Sequence, residues 1–262
     1  MATIDPAEAS RAVLIEVGNV LGAFRDRIVV VGGWVPELLY PRKGHIGSLD
    51  VDLAISPEAF SDDAYATVRN RLTEAGYSHT APPTRFTKQV KDAIEPTKVD
   101  LITGQYVTGK KHPHIEVNEL KINGLRGLDL ASEATREIEL SGEMPDGVHN
   151  TVRVRVVEPE AFILIKAFAM DERAKEKDAY DVAFVLLNYA PDLASLAERL
   201  RPLLDGGLAR EGYHILKAKF DSLESVGPTH AARGYAAQGA DFAQSRRAAF
   251  ESAQELFQLI GL

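Results

Sequence analysis

Ser48-Leu49-Asp50-Val51-Asp52-Leu53-Ala54-Ile55 is the stretch on which the fold turns. Apolar residues at 49, 51, 53 and 55 alternate with acidic ones at 50 and 52, the period-two pattern of a strand with one apolar face. Both carboxylates then share the opposite face and repel one another. A solvated sheet face dilutes that repulsion; a divalent cation removes it. Oxygen-only donors, in a chain with no Cys, favour Mg²⁺ or Mn²⁺.

Upstream, the β-branched run Arg27-Ile28-Val29-Val30-Val31 reads as a buried strand stopped by Gly32-Gly33. Trp34 to Tyr40 reads as a short helix with Pro36 in its first turn, and Pro41 to Gly47 as a loop. Backbone N–H groups at such a Gly-Gly turn can approach a triphosphate, because no side chain blocks the way and a helix begins there. The same turn also occurs with no ligand. Ser48 could offer a hydroxyl to a phosphate or cap a turn. Downstream, residues 57–75 read as a helix ending at Gly76. Residues 77–87 read as extended and broken by Pro82-Pro83, and 97–102 as a strand carrying Asp100 between Val99 and Leu101. If that strand neighbours the one bearing Asp50 and Asp52, three carboxylates converge. That is enough for two metal ions, with the third acid placed to take the proton of an attacking hydroxyl.

The chain opens with a helix over 7–24, where Ala9, Val13, Leu14, Val17, Val20, Leu21 and Phe24 recur at steps of three and four. Residues 103–157 are mixed, with strands expected at 115–122, 137–141 and 151–157 and a turn at Asp146-Gly147. From Glu158-Pro159 the pattern turns helical: 159–173, 178–189, 192–204, 208–222 and 241–260. Gly206-Gly207 and the Gly/Ala-rich stretch 226–240 read as connections. The fold class is therefore α+β, a mixed sheet with flanking helices followed by a C-terminal helical region. The domains are 1–158, the α/β core, and 159–262, the helical part.

The chain has 262 residues and 45% hydrophobic content, enough for a substantial core. Its net charge of −8 argues against a surface that clings to nucleic acid throughout. Basic residues do cluster, at Arg85, Lys88, Lys91 and Lys98 and at Lys166, Arg173, Lys175 and Lys177, and read first as solvated faces. No apolar run reaches bilayer length and the N-terminus has no secretory pattern, so a soluble cytoplasmic protein with no membrane partner is expected. His45, His112 and His114 read as loop or surface histidines. Lys177 and Asp181 stand four apart and can pair, and Asp178 suits a helix start. No Gly-x-Ser-x-Gly, P-loop or Gly-x-Gly-x-x-Gly follows a strand. With 17 Asp in the chain, about one Asp-x-Asp arises by chance, so the information lies in the order of the pieces.

That order resembles the DNA polymerase β-type nucleotidyltransferase superfamily: Val31-Gly32-Gly33, then Asp50-Val51-Asp52-Leu53, then Asp100 on another strand. Within it, the chain is most similar to the AbiEii/AbiGii toxin-type nucleotidyltransferases of abortive-infection and toxin–antitoxin systems. Those carry a later Pro-Glu, a helical Lys and a Lys/Arg-Asp-x-x-Asp, here Pro159-Glu160, Lys166 and Lys177-Asp178 with Asp181. The resemblance covers residues 28–190. It implies a nucleotidyltransferase-type fold whose helical region completes the active-site cleft. It also implies Asp50, Asp52 and Asp100 as metal-binding catalytic residues, Asp100 activating the acceptor hydroxyl. Gly32, Gly33 and Ser48 would cradle the triphosphate, with Lys166 neutralising its charge. Lys177, Asp178 and Asp181 would complete the nucleotide contacts. Two departures stand out: Trp34 replaces a usual Ser or Thr after the glycines, and the gap from Gly33 to Asp50 is long.

The expected activity is Mg²⁺- or Mn²⁺-dependent transfer of a nucleoside monophosphate from a nucleoside triphosphate to a hydroxyl, with pyrophosphate leaving (EC 2.7.7-type). The acceptor is open between tRNA, a protein and a small molecule, and a cognate antitoxin is an implied partner. A nucleotide- or partner-binding module without turnover is the alternative, and a metal-dependent phosphohydrolase a third reading.

Overall fold

The computed structural model describes residues 3–55, 62–80, 84–107, 110–111, 114–117 and 120–262. The expected helix over 57–75 and the strand over 115–122 therefore lie partly outside the described residues.

Asp5 accepts hydrogen bonds from the Ala7 and Glu8 N–H groups and starts helix α1, Pro6–Val20. The sequence pattern runs to 24, but 22–27 tighten into 3₁₀ turns. Strand β1, Ile28–Val31, is buried at every position, as its unbroken apolar run requires. A 3₁₀ turn at Gly32–Trp34 leads into helix α2, Val35–Leu39. Strand β2 is Asp50–Ile55, helix α3 Asp62–Glu74. Then come β3 (Ser78–Thr80), β4 (Arg85–Lys88), β5 (Thr97–Gly104), β6 (Tyr106–Val107), β7 (Lys110–Lys111), β8 (His114–Val117), β9 (Leu120–Leu125), β10 (Thr135–Glu143) and β11 (His149–Val157). Five longer helices and one short one close the chain: α4 (Pro159–Glu172), α5 (Glu176–Asn188), α6 (Leu193–Leu200), α7 (Gly207–Lys219), α8 (Val226–Ala236) and α9 (Phe242–Ile260).

The chain forms two units: residues 1–38 with 46–157, and residues 39–45 with 158–262. The first holds a sheet of nine strands among the described residues, in the order β10-β11-β1-β2-β5-β4-β3. β5 continues onto β9, which pairs with β8. β1 runs parallel to β11 and antiparallel to β2, whereas β2 and β5 are parallel. Helix α1 lies on the sheet through Ala9, Val13, Leu14, Ile15 and Val17. It approaches the sheet closely at Gly18, where a Cβ would sit 3.0 Å from methyls of Val152 and Val154. The β10–β11 hairpin pairs over its whole length, longer than its apolar alternation suggested, with Gly147 at φ +82 in the turn. Leu49, expected on the apolar face of β2, precedes the strand and is 62% exposed.

The second unit is built on α4 and α5, both buried around most of their circumference. They pack on each other, α4 also on α7, and α5 on α8 and α9. The stretch 226–240, expected as a connection, contains α8. Its small residues serve close packing: a Cβ on Gly234 would lie 2.8 Å from the Tyr180 side chain of α5. Among the described residues no helix is long and apolar enough to cross a membrane.

Candidate active site

Register does in the sheet unit what sequence spacing could only suggest. Asp52 lies beside Asp100 in the parallel β2–β5 pair, and Asp50 beside Lys98. Paired residues of neighbouring strands point to the same face, so all three carboxylates share one face. The row continues both ways: Val31 flanks Asp52 on β1, and Arg85 flanks Asp100 on β4. Arg85 grips the Asp100 carboxylate with a two-pronged fork, Nε to Oδ1 at 2.7 Å and Nη2 to Oδ2 at 2.6 Å. Those bonds, against a smaller opposing effect of burial, hold the guanidinium pKa above its usual range; Asp50 and Asp52 add to the rise. Lys98 Nζ stands 3.9 Å from the Asp50 carboxylate, both about two-fifths exposed. The mutual repulsion of the acids is thus already eased by two cations from β4 and β5.

Gly32 follows β1 at φ +71, in the left-handed region. A Cβ there would fall 2.0 Å from Oδ2 of Asp52. The glycine is needed for its backbone angle and because the carboxylate already occupies the space. Trp34, the residue where a hydroxyl was usual, is 3% exposed and donates its indole N–H to Ser10 Oγ at 2.9 Å. It anchors the turn to α1. Gly33 is buried in that turn, and Ser48 is half-buried two residues before Asp50.

Hard oxygen donors on one strand face suit Mg²⁺ or Mn²⁺, and Asp50 and Asp52 with the neighbouring Asp100 fit such an ion by type and by register. As the side chains stand, no three His, Asp or Glu groups are gathered to hold a metal among the described residues; the carboxylate of Asp100 is engaged by Arg85.

The helical unit carries a second cluster. Lys166 of α4 is 4% exposed and donates to Asp178 Oδ1 at 2.8 Å and Asp181 Oδ2 at 2.7 Å on α5. Burial pulls its pKa down, but the two carboxylates outweigh that and the net shift is upward. Lys177 reaches Asp181 at 2.8 Å, the expected i, i+4 pair, and Arg173 forks onto Asp178 at 2.9 and 3.0 Å. Burial pushes the pKa of both acids up and these cations pull it further down, so the net shift is downward for both. The charge of Lys166 is therefore met inside the cluster. The cations that show outward are Arg173 and Lys177, with side chains 49% and 33% exposed.

A family model described as "Nucleotidyl transferase AbiEii toxin, Type IV TA system" matches residues 21–255. The chain belongs to this family. The match enters before β1 and ends within α9, so the AbiEii family spans both units. Among curated proteins none matches the chain. Among solved structures, the crystal structure of JHP933 from Helicobacter pylori is similar over 99% of this chain and 95% of that chain, with 12% identity and a TM-score of 0.47.

Two residues of this AbiEii chain escaped the sequence reading. Arg85 reads in the sequence as one of a solvated basic cluster, since its partner is set only by the β4–β5 register. His45, expected in a loop or at the surface, does lie in a loop, but its side chain is buried in the helical unit. Its Nε2 is 2.9 Å from Asp181, and its ring stacks on Tyr180 and meets Phe184 edge-on. The one usable signal was the pair Tyr180 and Phe184 at i, i+4 around Asp181, an aromatic seat for a flat ring.

Proposed function

We propose that the chain is a Mg²⁺- or Mn²⁺-dependent nucleotidyltransferase (EC 2.7.7-type) that moves a nucleoside monophosphate from a nucleoside triphosphate onto an acceptor hydroxyl, as the toxin of a toxin–antitoxin pair with a cognate antitoxin. The observation that carries this is the row Gly32, Asp52 and Asp100, in which a glycine turn abuts one carboxylate and the sheet register sets the next beside it. Membership of a nucleotidyl transferase toxin family supports the same reading.

Asp50, Asp52 and Asp100 would hold the divalent ion, which when bound supplies charge neutralisation to the triphosphate and the leaving pyrophosphate. The Gly32–Gly33 turn, helped by Ser48, cradles phosphate oxygens with backbone N–H groups, as glycine turns do. Asp100 accepts the proton of the acceptor hydroxyl as its oxygen attacks the α-phosphorus. On the helical unit, Lys177 and Arg173 carry the exposed positive charge suited to nucleotide phosphate. Asp178 and Asp181 hold those two cations in place, and Lys166 ties the two carboxylates together. The acceptor is a hydroxyl of tRNA, a protein or a small molecule, and the acidic net charge of −8 disfavours extended contact with a long RNA.

The test is transfer from each α-labelled nucleoside triphosphate into total cell extract, with and without Mg²⁺, alongside pyrophosphate release. Wild type should label one class of acceptor, and the Asp50→Ala/Asp52→Ala/Asp100→Ala triple variant should lose labelling by more than about 10³-fold with an unchanged far-UV spectrum. Labelling by the triple variant would overturn the assignment. Nucleotide binding without pyrophosphate release would support a binding module instead, and orthophosphate release a phosphohydrolase.

A further inference from the structure

From the fork between Arg85 and Asp100 we infer that Arg85 is a positioning residue that latches the third carboxylate of the site, so that the metal site assembles fully only when bound nucleotide releases it. The inference rests on the function proposed above. Arg85 and Asp100 are register partners on β4 and β5, so the fork is built into the sheet. It is also bidentate, at 2.7 and 2.6 Å, and both Asp100 oxygens are engaged at once. Asp100 is the register partner of Asp52, yet among the described residues no three acidic or histidine groups stand gathered for a metal. Backbone and side chain therefore say different things: the strands place Asp100 beside Asp52, and the guanidinium claims its carboxylate.

A cation arriving alone must compete with two charge-assisted hydrogen bonds for the Asp100 oxygens and sit near a fixed positive charge. A cation arriving with a triphosphate brings a polyanion that gives the guanidinium an alternative partner of matching geometry. The pair, at 31% and 17% side-chain exposure, is open enough for that exchange. Such a latch suits a toxin, because it discourages a fully loaded metal site in the absence of substrate.

Mn²⁺ titration followed by electron paramagnetic resonance, without nucleotide, reads the latch directly. Arg85→Met, which keeps the aliphatic stem and removes the fork, should bind Mn²⁺ about tenfold more tightly than wild type. Arg85→Lys, which keeps charge without the fork, should fall between. In an Asp100→Asn background the gain from Arg85→Met should shrink to less than about twofold, because the latch acts through that carboxylate. Adding a non-hydrolysable triphosphate should close most of the gap between wild type and Arg85→Met. Circular dichroism melting confirms that each variant is folded, and Arg85→Lys serves if Arg85→Met is not. Equal or weaker Mn²⁺ binding by folded Arg85→Met overturns the latch, as does a full gain persisting with Asp100→Asn, which would be a general field effect. If wild type binds no Mn²⁺ even with nucleotide, the proposed metal-dependent function itself fails and the latch with it.

Discussion

Gly32 shows how little freedom one position can have. Its φ of +71 costs an L-residue about 1–2 kcal/mol, and the space where a Cβ would go holds the carboxylate of Asp52, 2.0 Å away. Gly147 is a natural control, with φ +82 and nothing within 4 Å. Gly32→Ala should therefore lose both stability and pyrophosphate release, the latter by about 100-fold, since a displacement near 1 Å at reacting groups has that effect. Gly147→Ala should lower the melting temperature and leave release within about twofold. Steady-state kinetics with thermal melts of the two variants separates backbone strain from displacement of Asp52. Similar kinetic losses in both would show that contact with Asp52 is irrelevant.

Among the elements, α8 carries the clearest lesson about composition. Gly/Ala enrichment over 226–240 reads as a flexible connection, because both residues are small and glycine weakens helices. In the molecule, the small side chains let α8 approach α5 closely: Ala231 and Ala232 are fully buried, and Gly234 faces Tyr180. A Gly234→Val substitution must push α8 off Tyr180, whose ring also stacks on His45. Overpacking of this kind costs about 1–3 kcal/mol. Chemical denaturation should show that loss, with an unchanged dependence on denaturant if packing alone is affected. No loss would mean that α5 and α8 can separate freely. By contrast, α4 and α5 were legible as helices because their length and flanking Pro159 identify them, although near-complete burial blurs their amphipathic pattern.

Across the molecule, the segment from Leu39 to His45 belongs with the helices and not with the sheet strands that flank it in sequence. Its anchor is His45, a buried imidazole on a buried aspartate. Burial lowers the His45 pKa; the Asp181 carboxylate, already shared with Lys166 and Lys177, offsets only part of that. The sign follows from linkage. The unfolded chain takes up a proton at this imidazole below about pH 6.5 while the folded chain resists it. Stability from neutral His45 is thus present above about pH 6.5 and is lost as the pH falls toward the folded value. Between pH 7 and 5, the melting temperature of wild type should drop more steeply than that of His45→Gln, which keeps an N–H donor but does not titrate. Parallel pH profiles would remove His45 as the cause. Asp178 and Asp181 do not confound this window, because both remain ionised throughout it in the folded and the unfolded chain.

The strand through Asp50 and Asp52, the glycine turn after Val31, the strand of Asp100 and the switch to helices at Glu158 could all be read from the chain, since each is written in the periodicity or turn chemistry of a few consecutive residues. Arg85 on Asp100, His45 on Asp181 and the close approach of α8 to Tyr180 could not. Each joins side chains brought together by strand register or helix packing, and local periodicity reports which face of an element is apolar without naming the element that will cover it.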